Sequence, residues 1–202
     1  MKLYDHPLSG NCYKVRLAAS ILNIDYETVP VDLMSGEQKG DDFRAINPLG
    51  QVPVLEDDGV VVRDSQAILV YLAGRFGGPD WLPGDPAGLA EVMQWLSFSA
   101  REMLEGPALA RAIVLFRRPD DPAPVQKRAR RAMAVLDQHL ANHDWLALER
   151  PTIADLACYP YAALAHQGGV EMGEYGHLPG WFRRIQALPG WFAQKGIYEV
   201  AD

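Results

Sequence analysis

The chain reads as an α/β unit of βαβ–ββα order followed by an all-helical bundle, and three observations predict it. Runs with strand character occur only ahead of Gly77. A stretch dense in breakers follows, from Gly77-Gly78-Pro79-Asp80 to Pro83-Gly84-Asp85-Pro86, where neither helix nor strand propagates well. From Leu89 onward Leu89, Val92, Met93, Leu96, Ala100, Met103 and Leu104 recur at the period of a helix. The corresponding limits are a first domain over 1–78, a linker over 79–88 and a helical domain over 89–202.

Each element has its own local reason. Lys2-Leu3-Tyr4-Asp5 is a short strand, and Cys12 to Leu22 a helix with Val15, Ala18, Ala19 and Leu22 on one face. Tyr26 to Leu33 supplies a second strand, and a crossover helix between two strands makes them parallel. Val54-Leu55-Glu56 and Val60-Val61-Val62 flank Asp57-Asp58-Gly59, a hairpin signal. A helix from Ser65 to about Phe76 closes the unit. In the second part Pro124 to about Leu140 is helical, with Val125, Ala129, Met133, Leu136 and Leu140 inward and Lys127-Arg128-Ala129-Arg130-Arg131 giving a solvated charged face. Thr152 with Asp155 has the form of a capping box opening a helix through Leu156, Tyr159 and Leu164. Gly180-Trp181-Phe182-Arg183-Arg184-Ile185 and Pro189-Gly190-Trp191-Phe192 suggest two short closing helices.

Composition narrows the function. Of 202 residues 49% are hydrophobic, ample for a buried core. Nineteen basic against 26 acidic side chains give a net charge of -7 and a pI near 5.2, which argues against broad electrostatic binding of nucleic acid. The N-terminal residues lack the apolar core of a secretion signal, and no apolar run has membrane-spanning length, so a soluble cytoplasmic protein is expected. Cys12 and Cys158 form neither a CxxC motif nor a disulfide framework; Cys12 reads as a small buried residue and Cys158 as core.

Three places carry candidate chemistry. In Asn47-Pro48-Leu49-Gly50-Gln51-Val52-Pro53-Val54-Leu55 a proline stands where a strand begins, a position that spares its missing donor. A cis Val52-Pro53 bond would turn the Val52 amide and carbonyl outward, free to pair with a small peptide. Asp64-Ser65 then opens a helix whose amino end suits an anion. Ser9-Gly10-Asn11-Cys12 lies between the first strand and its helix, another set of free amides.

In order and spacing, Ser9, Val52-Pro53, Asp64-Ser65 and the later Arg150-Pro151-Thr152-Ile153-Ala154-Asp155 resemble the cytosolic glutathione transferase superfamily over nearly the whole chain. The resemblance implies a thioredoxin-like first domain, a helical second domain and a homodimer with glutathione as co-substrate and no metal. Ser9-x-Asn11-x-x-Lys14 is similar to the nu class, and Ser9-Gly10-Asn11-Cys12-Tyr13-Lys14-Val15-Arg16 to the zeta class, so a bacterial, serine-type member is implied.

On that resemblance Ser9 is the first candidate to hold the glutathione sulfur as thiolate, with Asn11 as a second donor on the same turn. Val52 and Pro53 would hold the cysteinyl unit, Asp64 and Ser65 the γ-glutamyl end, and Lys39 and Gln51 the glycyl carboxylate. Asp64 departs from the more usual Glu, and its reach is shorter. Trp95, Phe98, Arg101 and Phe116 are the candidates for the second-substrate surface. The expected activity is transfer of glutathione to a small electrophile. Glutathione-dependent disulfide or peroxide reduction at the same site, and a non-catalytic interaction role, are the alternatives.

Overall fold

The computed structural model of the chain describes residues 1–198 and 200. β1 (Lys2–Asp5), α1 (Gly10–Ile21) and β2 (Glu27–Pro30) form the expected unit, with β1 and β2 parallel and Leu3 opposite Thr28. A short 3-10 turn (Glu37–Lys39) and α2 (Asp41–Ile46), neither of them anticipated, lead to β3 (Val54–Asp57) and β4 (Val60–Arg63). The sheet order is β2-β1-β3-β4, with β3 antiparallel to both neighbours and Leu3 facing Leu55. Asp57 pairs with Val60, so the turn narrows to Asp58-Gly59, whose φ values of 47° and 82° suit the twist of the strands it joins.

α3 (Ser65–Leu72) continues into wider turns at Ala73–Gly77, and α4 (Gly78–Trp81) occupies the breaker-rich stretch. α5 (Pro86–Phe98) begins at Pro86 rather than Leu89, because Asp85 accepts from the Gly88 amide at 2.8 Å and Pro86 is tolerated in the first turn. The helix widens over Ser99–Ala108, around Pro107 with its missing amide hydrogen, and regains α geometry in α6 (Leu109–Leu115). α7 (Ala123–Leu140), α8 (Ile153–Ala163) and α9 (Leu178–Gln186) complete the bundle.

One continuous core joins both parts, from Leu3, Leu17, Leu69 and Leu72 through Val92 and Leu96 to Leu156, Trp181 and Phe182. The capping box is present: Thr152 Oγ1 accepts from the Ala154 amide, and Asp155 accepts from the Thr152 and Leu146 amides and from Trp181 Nε1. Burial pushes the Asp155 carboxyl up to about 6 against the pull of these donors.

Some expectations need correction. α1 starts at Gly10, with Ser9 outside it as its cap, and Leu22 is only half-buried. Of the residues that recur at the helical period, Leu89, Met93 and Leu104 are exposed at 37%, 42% and 45%, whereas Val92, Leu96 and Met103 are buried. Residues 189–192 form no helix. Gly190 has φ 84° and its carbonyl accepts from Ser20 Oγ at 2.6 Å, so the chain turns there and runs along α1. Phe192 O then accepts from Tyr13, and Gln194 Oε1 from Arg16.

Candidate active site

Three segments converge. The first turn of α1, the 47–53 loop and the start of α3 enclose a small cavity of about 80 Å³ lined by Asn11, Gln51, Val52, Arg63, Asp64 and Ser65, among others. Its chemistry, not its size, singles it out, because it gathers open backbone groups and neutral donors. The Val52-Pro53 bond is cis. Among the described residues no hydrogen bond engages the Val52 amide or carbonyl.

At the start of α3, Asp64 caps the helix by accepting from the Gln66 and Ala67 amides at 2.9 and 3.2 Å. The Ser65 amide is left without a partner among the described residues, an orphan donor of the kind that suits an anion. Asp64 has φ 75°, in the region that L side chains rarely adopt, so the backbone is strained at the point where it meets the cavity. Ser65 Oγ donates to Asn11 Oδ1 at 3.4 Å. With its oxygen so engaged, Asn11 presents its amide nitrogen as a donor.

Ser9 caps α1: its Oγ accepts from the Cys12 amide at 3.2 Å. That contact uses an oxygen lone pair, so the hydroxyl hydrogen is still available to donate. Ser9 sits at the half-buried mouth of the loop and, unlike Asn11, is not among the cavity-lining residues. Cys12 is fully buried, and burial, reinforced by Asp5, pushes its thiol up to about 12, so it is no nucleophile at neutral pH. Cys158 is likewise fully buried, its thiol raised above the ordinary value by burial.

Lys39 lies at the edge of the same loop. It is exposed, and its Nζ donates to the Leu49 and Gly50 carbonyls at 3.2 and 2.9 Å. Asn47 Nδ2 donates to the Gln51 carbonyl at 2.7 Å, which shapes the loop from within. Asn47, Leu49 and Arg63 line the cavity without having been singled out. For Arg63 the available signal was its place at the end of β4, directly before Asp64.

Of the four second-substrate candidates, Trp95, Phe98 and Arg101 are neighbours and Phe116 lies on another element. Trp95 stacks edge-on with Phe98 and His139 at centroid distances of 5.4 and 4.8 Å. Phe98 and Arg101 line a groove of about 420 Å³ between the α5 helix and α7, with Glu102, Glu105, Arg128 and Arg131. Phe116 ends α6 and is exposed. Among the described residues no group of His, Cys, Asp and Glu is arranged to hold a metal, and no helix is long and apolar enough to cross a membrane.

Comparison with known proteins identifies the family. Residues 3–80 match the family model of the glutathione S-transferase N-terminal domain, and residues 93–189 that of the C-terminal domain. Glutathione S-transferase 3 of Zea mays is 34% identical over 212 residues, covering 99% of this chain and 94% of that protein. A zeta-class glutathione S-transferase of Euphorbia esula is 36% identical over 146 residues, covering 71% of this chain and 65% of that protein. The crystal structure of a glutathione S-transferase from Pseudomonas fluorescens superposes with a TM-score of 0.90 at 34% identity, covering 96% of this chain and 98% of that one. In sequence, in both domains and in fold, the chain belongs to the glutathione transferase family.

Proposed function

We propose that this glutathione transferase holds its co-substrate across the cavity between α1, the 47–53 loop and α3, and keeps the sulfur ionised with neutral donors. One observation carries the reading: an open Val52 backbone pair, an orphan Ser65 amide and the Asn11 amide converge on one cleft. Val52 pairs with the cysteinyl unit as an added strand would, and Ser65 takes the γ-glutamyl carboxylate at the α3 terminus. Asp64, committed to capping, offers the remaining carboxylate lone pairs to the γ-glutamyl amine. Gln51 and Lys39 approach the glycyl carboxylate from the loop side.

Ser9 and Asn11 donate to the sulfur. A hydrogen bond to the charged form lowers a thiol pKa, and the amino end of α1 adds its partial positive charge. The thiolate then attacks an electrophilic carbon: the new C–S bond forms as the leaving group departs with its electron pair. The first domain spans 1–78, with the helical domain from 89 contributing the second-substrate surface. Of the four candidates there, Phe116 stands on the helix whose Arg111 reaches the Leu8 carbonyl, which favours it over Trp95, Phe98 and Arg101. An Arg101→Ala variant with unaltered affinity for every acceptor would remove Arg101 from that surface.

The exposed apolar residues Val60, Val61, Leu89, Met93, Leu104 and Val135 support a homodimer, and a solution mass of a single 22.4 kDa chain would contradict it. We place the enzyme in the cytoplasm, consistent with its two reduced cysteines. The deciding experiment is an ultraviolet titration of bound glutathione, which under this reading reveals thiolate at pH 7. A parallel assay with a chlorinated aromatic acceptor and a hydroxyethyl disulfide tests the second activity, which the Ser9-Asn11 pair favours. Turnover of the disulfide alone would demote the transferase reaction.

A further inference from the structure

Two cations are buried behind the first turn of α1. Lys14 is 1% exposed, and Arg111 is 4% exposed. Lys14 Nζ donates to Ser99 Oγ at 3.0 Å, whose hydroxyl donates in turn to the Ala157 carbonyl. Arg111 donates to Gln167 Oε1 at 2.6 Å and to the Leu8 carbonyl, next to Ser9, at 3.0 Å. All of these partners are neutral. Among the described residues neither cation has a carboxylate oxygen within 4.0 Å, whereas Arg16 on the same helix pairs with Asp5 at 2.7 Å.

An unpaired buried charge is expensive, and a chain of net charge -7 has acidic residues to spare for neutralising it. Both charges meet at one side chain. Lys14 Nζ lies 5.2 Å from the centroid of the Tyr161 ring, and the Arg111 charge acts on the Tyr161 hydroxyl. Tyr161 in turn packs on Gly10, where a Cβ would meet its ring at 2.6 Å. Neither cation lines the cavity, so neither contacts the tripeptide there.

We propose that Lys14 and Arg111 are positioning charges whose field, met by no carboxylate oxygen within 4.0 Å and acting through the buried amino end of α1, holds the sulfur of bound glutathione in its ionised form. The inference rests on the glutathione reading of the cleft. Their counter-charge is the thiolate itself, formed when the sulfur proton leaves to solvent. In a site shielded from water a field of this kind is weakly screened. The titratable and charged groups facing Lys14 are Cys158 and Tyr161 on α8 and Asp64 at the start of α3. Those facing Arg111 are Tyr161 and His166. Burial lowers Lys14 to about 8, so its share of the field fades above that pH.

The test compares Lys14→Met and Arg111→Met, singly and together, with the charge-keeping Lys14→Arg and Arg111→Lys. Thiolate absorbance of bound glutathione against pH gives the ionisation midpoint, and calorimetry with S-methylglutathione, which has no ionisable sulfur, gives affinity for the tripeptide. Each Met variant is expected to raise the midpoint by on the order of one pH unit, the pair by more, with S-methylglutathione affinity held within about threefold. The charge-keeping variants restore the midpoint. A double variant with an unmoved midpoint that still binds S-methylglutathione overturns the proposal, as does an equal shift in the charge-keeping variants. Failure of the wild-type protein to bind S-methylglutathione instead overturns the functional reading beneath it. The cations lie on different helices, so a variant that misfolds leaves the other as a complete test.

Discussion

Ser65 Oγ donates to Asn11 Oδ1 at 3.4 Å, joining the first turns of α3 and α1 at one point. The contact fixes the rotation of the Asn11 amide and so decides which of its atoms faces a ligand. Gln66 extends the link: in the orientation that satisfies every partner, its nitrogen donates to Ser65 Oγ at 2.5 Å and its oxygen accepts from the Ala100 amide at 3.1 Å. The helical part of the chain is thereby connected to the floor of the cleft.

The two neutral donors should separate by stability as well as activity. Asn11→Ala is expected to raise the ionisation midpoint of bound glutathione with little change in melting temperature. Ser9→Ala removes a helix cap worth about 1 kcal/mol, which lowers the melting temperature by roughly 2–4 °C in addition to its effect on the sulfur. Full activity in the double variant would show that neither residue activates the thiol.

Gly10→Ala tests the seam between α1 and α8. The added methyl meets the Tyr161 ring at 2.6 Å, so α1 or the ring must shift. A loss of about 1–3 kcal/mol and a raised KM for glutathione are expected, measured by thermal unfolding and steady-state kinetics. An unchanged melting temperature would mean that the seam is loose.

Asp155→Ala strips four donors of their acceptor in a fully buried setting: the Leu146 and Thr152 amides, the Thr152 hydroxyl and the Trp181 indole. The expected cost is about 3–5 kcal/mol, which lowers the melting temperature by on the order of 10 °C or leaves the protein insoluble. A change of less than about 1 kcal/mol would contradict a structural role for the capping box.

Lys14 makes stability depend on alkaline pH with a definite sign. Burial depresses its folded value from 10.5 to about 8, so between these pH values the unfolded chain binds more protons than the native one, and stability rises with pH. Below about pH 8 the full penalty of the buried charge, on the order of 3 kcal/mol, is present. Lys14→Met is therefore expected to melt above wild type at pH 7, and this advantage should shrink as the pH approaches 10. An advantage independent of pH would place the effect in packing rather than charge.

Much of this was legible locally. Two apolar runs around Asp57-Asp58-Gly59 located the hairpin, because strand propensity and turn chemistry act over a few residues. The Thr152–Asp155 box and the inward set Val125, Ala129, Met133, Leu136 and Leu140 on α7 followed from helix geometry in the same way. Where local signals are equivocal, contacts with distant segments decide. Pro189-Gly190-Trp191-Phe192 resembles a helix start, but contact with Ser20 holds Gly190 in a left-handed turn. Leu89, Met93 and Leu104 share the helical period with buried neighbours, and only the packing of α5 and the widened segment after it determines which of them face outward.

The sequence by itself determined the order of the strands, the family and the residue types at the cleft, since each depends on neighbours in the chain. Tertiary structure alone decided that Asn11 meets Ser65 and that Lys14 and Arg111 are enclosed without an ion-pair partner among the described residues. The physical reason is that burial and charge compensation are set by segments distant in the chain, and no period or spacing along one element records which charges the folded molecule leaves unpaired.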